Sequence, residues 1–87
     1  MKMTKILIVD DDAAVRDGLY GILSPHADFK IVGKAVDGLD AIDKASDLHP
    51  DVILMDAQMP GMDGVEATHH IKEQFPEVKK LIFERPL

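Results

Sequence analysis

Carboxylates follow two strongly apolar segments of the sequence. Asp10 and Asp11 come directly after the run Ile6–Val9, and Asp56 comes directly after Asp51–Met55. If both segments are neighbouring strands, these carboxylates meet, and two like charges about 4 Å apart repel by about 4 kcal/mol at an effective dielectric constant near 20. A proton or a bound cation relieves that repulsion. Because the cluster offers hard oxygen ligands, it predicts Mg²⁺, Mn²⁺ or Ca²⁺ rather than zinc or copper, and Mg²⁺ in particular for phosphoryl chemistry.

The elements that carry these carboxylates alternate between strand and helix patterns. Apolar runs typical of strands lie at Lys5–Val9, Phe29–Val36, Asp51–Met55 and Val78–Phe83. Amphipathic helical patterns separate them, so the order is β-α-β-α-β-α-β, which predicts a doubly wound parallel α/β sheet with helices on both faces. In the flavodoxin-like strand order 2-1-3-4-5, ligands bind between the ends of the first and third strands. Asp10, Asp11 and Asp56 are expected to meet there.

The first two helices contain further acids whose positions favour structural roles. In the first helix an apolar stripe recurs at i, i+4, i+7 and i+8, formed by Val15, Leu19, Ile22 and Leu23. Asp11 or Asp12 can cap the start of this helix, and for Asp12 we favour the cap over a ligand role. Three acids of the second helix are expected on a solvated face: Asp40, Asp43 and Asp47.

Composition narrows the classes of function. The chain has 87 residues, 46% of them hydrophobic and 30% charged, which fits one globular domain spanning residues 1–87. Ten basic against sixteen acidic residues give a net charge of −6, which argues against a nucleic-acid-binding face. The absence of Cys excludes disulfides and thiolate chemistry. Since no apolar run is long enough for a signal peptide or a membrane span, we expect a cytoplasmic protein without membrane contact.

Three spaced motifs together resemble the receiver domain of bacterial two-component response regulators. They are Ile-Leu-Ile-Val-Asp-Asp at 6–11, Pro-Asp-Val-Ile-Leu-Met-Asp at 50–56 and Met-Pro-Gly-Met-Asp-Gly at 59–64. The sequence pattern is similar to that of regulators with a carboxy-terminal helix-turn-helix output domain. The resemblance runs from about Lys5 to Phe83. It implies a receiver-type fold and a role as a phosphoacceptor in histidine-to-aspartate signalling, rather than as an enzyme.

The resemblance also implies a role for each matching residue. Asp56 would accept the phosphoryl group from the phosphohistidine of a sensor histidine kinase or from a small phosphodonor. Asp11 and Asp56 would ligate Mg²⁺ directly, together with the backbone carbonyl of Gln58. Asp10 would act mainly through water or by orienting the ligands of the metal.

Two departures from the family pattern affect the expected output. The family has a Thr or Ser just after the fourth strand, where this sequence has Glu84, and it continues into a fifth strand that ends in a Lys. This sequence ends at Leu87. We therefore interpret the chain as a receiver domain cut after its fourth strand, with metal binding retained and the phosphorylation-dependent output impaired. An exposed fourth strand predicts a homo-oligomer that forms through this edge.

Two alternatives stay open at the level of sequence. One is a receiver remnant that no longer transfers phosphate and acts as a dimerising interaction module. The other uses the resemblance of the first acidic cluster to the motif of haloacid-dehalogenase-like phosphatases, in which Asp10 would be the nucleophile and Asp12 the acid–base group. That assignment leaves Asp56 unexplained, and Ala14 stands where the motif usually has Thr or Val.

Overall fold

A computed structural model of the chain describes residues 3–56 and 64–83. Within these ranges the elements, in chain order, are β1 (Thr4–Val9), α1 (Ala13–Leu23), β2 (Phe29–Ala35), α2 (Gly38–Leu48), β3 (Val52–Asp56), α3 (Gly64–Gln74) and β4 (Lys79–Phe83). The predicted alternation is confirmed, and the strand bounds differ from the predicted ones by no more than one residue. None of the described helices is both long and apolar enough to cross a membrane.

The strands form one parallel sheet whose order puts β1 in its interior. That order is β2-β1-β3-β4, and each neighbouring pair is parallel. Val9 is in register with Ala35 of β2 on one side and with Met55 of β3 on the other. Asp10 therefore follows the end of β1 at the level where β3 ends in Asp56. The predicted flavodoxin-like order is confirmed through the fourth strand.

One face of the sheet, beneath α2 and α3, carries the main core. Its buried residues come from β1, β2, β3, α2 and α3 and from the residue before β4: Leu7, Val9, Ala35, Ala41, Ala45, Ile53, Met55, Ala67, Ile71 and Val78. The alanines are small enough for α2 and α3 to lie close to the sheet and to each other. This core includes Val9 of β1 and Met55 of β3, the residues just before Asp10 and Asp56. It therefore fixes the positions of these two acidic residues.

Helix α1 packs against β1 and β2, and right-handed crossovers put it on the opposite face from α2. No residue of α1 is fully buried. Val15, Leu19 and Leu23 are half-buried, as expected for an inward stripe, whereas the side chain of Ile22 is 67% exposed. The expectation that Ile22 packs inward is therefore wrong: among the described elements α1 packs mainly on β1 and β2, which cover Val15, Leu19 and Leu23 but not Ile22.

Candidate functional site

Three consecutive acids in the turn from β1 to α1 take three different positions. Asp10 is fully buried; its N–H donates to the carbonyl of Ala35 (3.1 Å), and its Oδ1 accepts a hydrogen bond from the N–H of Asp12 (2.8 Å). Asp11 is exposed. Asp12 caps α1, since its backbone is extended and its Oδ1 accepts from the N–H of Ala14 (2.8 Å). The turn thus points Asp10 into the protein and leaves Asp11 at the surface beside it.

The capping role predicted for Asp12 is confirmed, and it bears on the phosphatase alternative. A side chain that satisfies the exposed N–H groups at the start of a helix is already used in stabilising that helix. The geometry of Asp12 therefore gives no support to its assignment as an acid–base group.

Asp56 is the last residue of β3 and is 1% exposed. One carboxylate oxygen from each of Asp10, Asp11 and Asp56 lies within 4.8 Å of the other two. The predicted convergence of acids from two distant parts of the sequence is confirmed by this geometry. Since Asp11 is exposed, the cluster is open to solvent on that side.

The electrostatics of the cluster favour a cation. Two ionised carboxylates whose oxygens lie within 4.8 Å of each other repel by about 3 kcal/mol or more at an effective dielectric constant near 20. Two of the three carboxyl groups are buried, so water screens this repulsion weakly. The three donors in the cluster are all carboxylate oxygens, a set that suits Mg²⁺, Mn²⁺ or Ca²⁺. The residues present therefore fit the metal expected from the sequence. Gln58, the fourth expected ligand, and Glu84 both lie outside the described residues.

Two polar side chains at this edge of the sheet make contacts that the sequence did not predict. Arg16 reaches back from α1, and its Nη1 donates to the backbone carbonyl of Asp10 (2.6 Å). Asp40, in the first turn of α2, is half-buried rather than fully solvated: it accepts from Lys44 Nζ (2.7 Å) and from the N–H of Val36 (3.0 Å). The hydrogen bond from Lys44 lowers the pKa of the Asp40 carboxyl, and Val36 and the charge of Arg16 act in the same direction.

Sequence spacing indicates the contacts of Arg16 and Asp40 only weakly. Asp40 and Lys44 are four apart on a helix, a spacing that brings side chains together. Arg16 is six residues after Asp10, and only the shape of the turn decides that its guanidinium group returns to that carbonyl.

Comparison with known proteins identifies the family. A model of the response regulator receiver domain matches residues 6–84. The response regulator protein VraR of Staphylococcus aureus (strain NCTC 8325) is 49% identical over 78 residues, which are 90% of this chain and 37% of that protein. The chain thus spans little more than a third of the length of this relative.

Solved receiver structures superimpose closely on the chain. The response regulator domain of Thermotoga maritima CheB has a TM-score of 0.91 at 40% identity, covering 95% of this chain and 61% of that one. A LuxR-family two-component response regulator from Aurantimonas has a TM-score of 0.92 at 30% identity, covering 99% of this chain and 61% of that one. Together with the strand order and the matched motifs, these likenesses show that the chain belongs to the receiver-domain family of two-component response regulators.

Proposed function

We propose that Asp56 is the phosphoacceptor of this receiver domain, and that Asp10, Asp11 and Asp56 hold the Mg²⁺ ion that phosphorylation requires. The observation that supports this most strongly is the 1% exposed carboxylate at the end of β3, with an oxygen within 4.8 Å of oxygens from two further carboxylates. A lone buried carboxylate would favour its neutral form and be a poor nucleophile, whereas a cation beside it favours the ionised form.

The proposed reaction is an in-line displacement at phosphorus. An Oδ atom of Asp56 attacks the phosphorus of a phosphohistidine, forming a new P–O bond while the P–N bond breaks and its electron pair stays with the imidazole. Asp56 becomes an acyl phosphate, which water can later hydrolyse to carboxylate and inorganic phosphate. When bound, Mg²⁺ would offset the negative charge of the phosphoryl oxygens. Met55, which precedes Asp56 on β3, belongs to the main core, and carboxylate oxygens of Asp10 and Asp11 lie within 4.8 Å of one of Asp56.

In this proposal the partner is a sensor histidine kinase, the setting is the cytoplasm, and the domain is the substrate of the kinase rather than an enzyme. Likeness to VraR and to a LuxR-family regulator supports a role in transcription regulation, exerted through a separate helix-turn-helix output domain. The net charge of −6 supports the view that residues 1–87 do not contact nucleic acid themselves. Glu84 in place of a hydroxyl residue supports a weakened response to phosphorylation.

Intact-mass spectrometry tests the phosphoacceptor assignment. The chain is incubated with Mg²⁺ and phosphoramidate, and we expect the mass of one phosphoryl group to be added. Asp56→Asn should abolish the addition, and so should chelation of the metal by EDTA. Asp43→Asn is the matched control, because it removes the same charge from an exposed position of α2 and should leave the addition unchanged. An adduct that persists in Asp56→Asn would place the acceptor elsewhere and contradict the proposal.

The position of β4 supports a second candidate function, a homo-oligomeric interaction module. Among the described strands β4 lies at one edge of the sheet and pairs with β3 alone. An edge strand with free N–H and C=O groups can pair with a second copy of the chain. Sedimentation velocity over a range of concentrations tests this: a dimer is expected, and a folded monomer at all concentrations would exclude it without affecting the phosphoacceptor assignment.

A further inference from the structure

Arg16 is tied to the backbone of the turn that carries two of the acidic residues. Its Nη1 donates to the carbonyl of Asp10 at 2.6 Å, and the side chain is half-buried between α1 and that turn. A hydrogen bond from a charged donor is stronger than one between neutral groups. The guanidinium therefore holds the peptide that joins Asp10 to Asp11.

Main-chain groups of neighbouring segments also hold Asp10. Its N–H donates to Ala35 of β2, and its Oδ1 accepts from the N–H of Asp12. The contact from Arg16 differs, because it is made by a side chain and can be removed without changing the backbone of the turn. It also acts directly on the peptide unit that sets the direction of Asp11, the exposed member of the cluster.

The charge of Arg16 extends to the start of α2 as well. It contributes to the lowered pKa of Asp40, whose carboxylate also accepts the N–H of Val36 just after β2. Arg16 is therefore close enough to the start of α2 for its charge to act on Asp40 as well.

We propose that Arg16 is a positioning residue that fixes the Asp10–Asp11 turn and thereby sets the preference of the site for Mg²⁺ over Ca²⁺. This inference rests on the proposed metal site. Mg²⁺ requires nearly ideal octahedral geometry with oxygens at about 2.0–2.1 Å, whereas Ca²⁺ accepts flexible coordination at about 2.3–2.6 Å. A turn that can move should therefore weaken the binding of Mg²⁺ more than that of Ca²⁺.

A purely electrostatic role for Arg16 predicts a different outcome. Its positive charge repels Mg²⁺ and Ca²⁺ alike, because both ions carry the same charge. Removing that charge would strengthen the binding of both ions by a similar factor and leave their ratio unchanged. The dissociation constant for Ca²⁺ divided by that for Mg²⁺ therefore separates positioning from charge. A general loss of stability does not change this ratio.

The experiment titrates MgCl₂ and CaCl₂ separately into the ¹⁵N-labelled chain and follows amide shifts by NMR, at constant ionic strength. In Arg16→Met we expect Mg²⁺ to bind about tenfold or more weakly, the usual range for lost support of a metal ligand, with a much smaller change for Ca²⁺. Arg16→Lys keeps the charge and one donor group, so its ratio of dissociation constants should lie between that of Arg16→Met and that of the wild-type chain. Lys34→Met is the matched control: it removes one positive charge, which pairs with Asp17 at 3.3 Å, and should keep the wild-type ratio.

Each result has a defined meaning. An unchanged ratio in Arg16→Met, or equal tightening for both ions, would overturn the proposal while leaving the metal site intact. If Arg16→Met does not give a folded spectrum, Arg16→Lys decides: a lowered ratio supports positioning, and a wild-type ratio overturns it. A wild-type chain that binds neither ion would refute the proposed metal site itself, and the role of Arg16 with it.

Discussion

Two acidic segments at the carboxyl edge of the sheet are built in similar ways. The first acidic segment, residues 10–12, joins β1 to α1. The second acidic segment, residues 36–40, consists of the connection from β2 to α2 and the first turn of α2. Each begins its helix with an Asp cap, Asp12 in one and Asp37 in the other. In each, a second carboxylate also accepts a backbone N–H from its own segment: Asp10 from Asp12, and Asp40 from Val36.

The two segments differ in what faces that second carboxylate. Asp40 faces Lys44 Nζ at 2.7 Å, whereas Asp10 has carboxylate oxygens of Asp11 and Asp56 within 4.8 Å. The order of the described strands explains this difference, because β1 lies between β2 and β3, while β2 has β1 as its one neighbour in that order. Only the first acidic segment therefore has the end of β3 beside it. Similar local chemistry gives a stabilised helix start at the edge and a candidate cation site at the point where the strand order reverses.

The largest expected contrast concerns stabilisation by Mg²⁺. An ion that binds only the folded state raises the free energy of unfolding by about 2.7 kcal/mol when present at 100 times its dissociation constant. We expect that gain in the wild-type chain and little of it in Asp11→Asn at the same Mg²⁺ concentration. Because Asp11 is exposed, this variant should fold without the metal. Urea unfolding followed by circular dichroism, with and without Mg²⁺, measures the difference.

The second acidic segment supplies the control for this prediction. Asp40→Asn removes the same charge but leaves the cluster of Asp10, Asp11 and Asp56 intact. It should retain the full gain from Mg²⁺. If Asp40→Asn loses the gain as completely as Asp11→Asn does, the ion responds to the total charge of this edge rather than to a defined site, and the contrast between the two segments fails.

Removal of the helix cap should destabilise the chain by a similar amount in the two segments. The expected loss is smaller than the gain from Mg²⁺ and larger than the pH effect described below. Replacing an Asp cap by Ala costs about 1 kcal/mol, because an N–H of the first helical turn loses its acceptor. We therefore expect Asp12→Ala and Asp37→Ala to lower the free energy of unfolding by similar amounts in urea. The Asn variant at each position keeps an acceptor oxygen and should recover most of the loss. A much larger loss for Asp12→Ala would mean that its side chain also supports the metal cluster.

The parts of this arrangement that could be predicted from sequence follow from strand periodicity and strand order. Asp10 and Asp56 directly follow apolar runs, so parallel strands necessarily bring them to one edge of the sheet. Asp12 could be recognised as a cap because it lies three residues before Val15, the first residue of the helical stripe. These inferences need the direction and order of elements, which a sequence pattern carries, but no side-chain positions.

The parts that could not be predicted depend on packing between elements. The contact from Arg16 to the Asp10 carbonyl requires the conformation of the turn, and the bond from Val36 to Asp40 requires the angle at which α2 leaves the sheet. Ile22 belongs to the apolar stripe of α1, yet its side chain is 67% exposed. Periodicity gives the face on which a residue lies, whereas its burial depends on how much protein lies opposite that face.

The smallest expected effect is the pH dependence of the second acidic segment. The pKa of Asp40 lies below its usual value of 3.8 in the folded chain, mainly because of the hydrogen bond from Lys44. A carboxyl group whose pKa is lowered by folding binds protons more weakly in the folded state, so its contribution to stability is fully present above about pH 4 and is lost as the pH falls through the folded-state pKa.

Asp40→Asn should accordingly lower the free energy of unfolding by about 0.3–0.5 kcal/mol at pH 7, the usual size for an ion pair four residues apart on a helix. The difference from the wild-type chain should shrink as the pH falls below 4, because the wild-type carboxyl then becomes neutral as well. Urea unfolding at pH 7 and at pH 3 measures it, with Asp43→Asn as an exposed control on the same helix. A difference that stays constant between the two pH values would show that Asp40 stabilises α2 through the shape of its hydrogen bonds rather than through its charge. The charge of Lys44 would then contribute little to the contrast between the two segments, and the geometry of the hydrogen bonds of Asp40 would account for it.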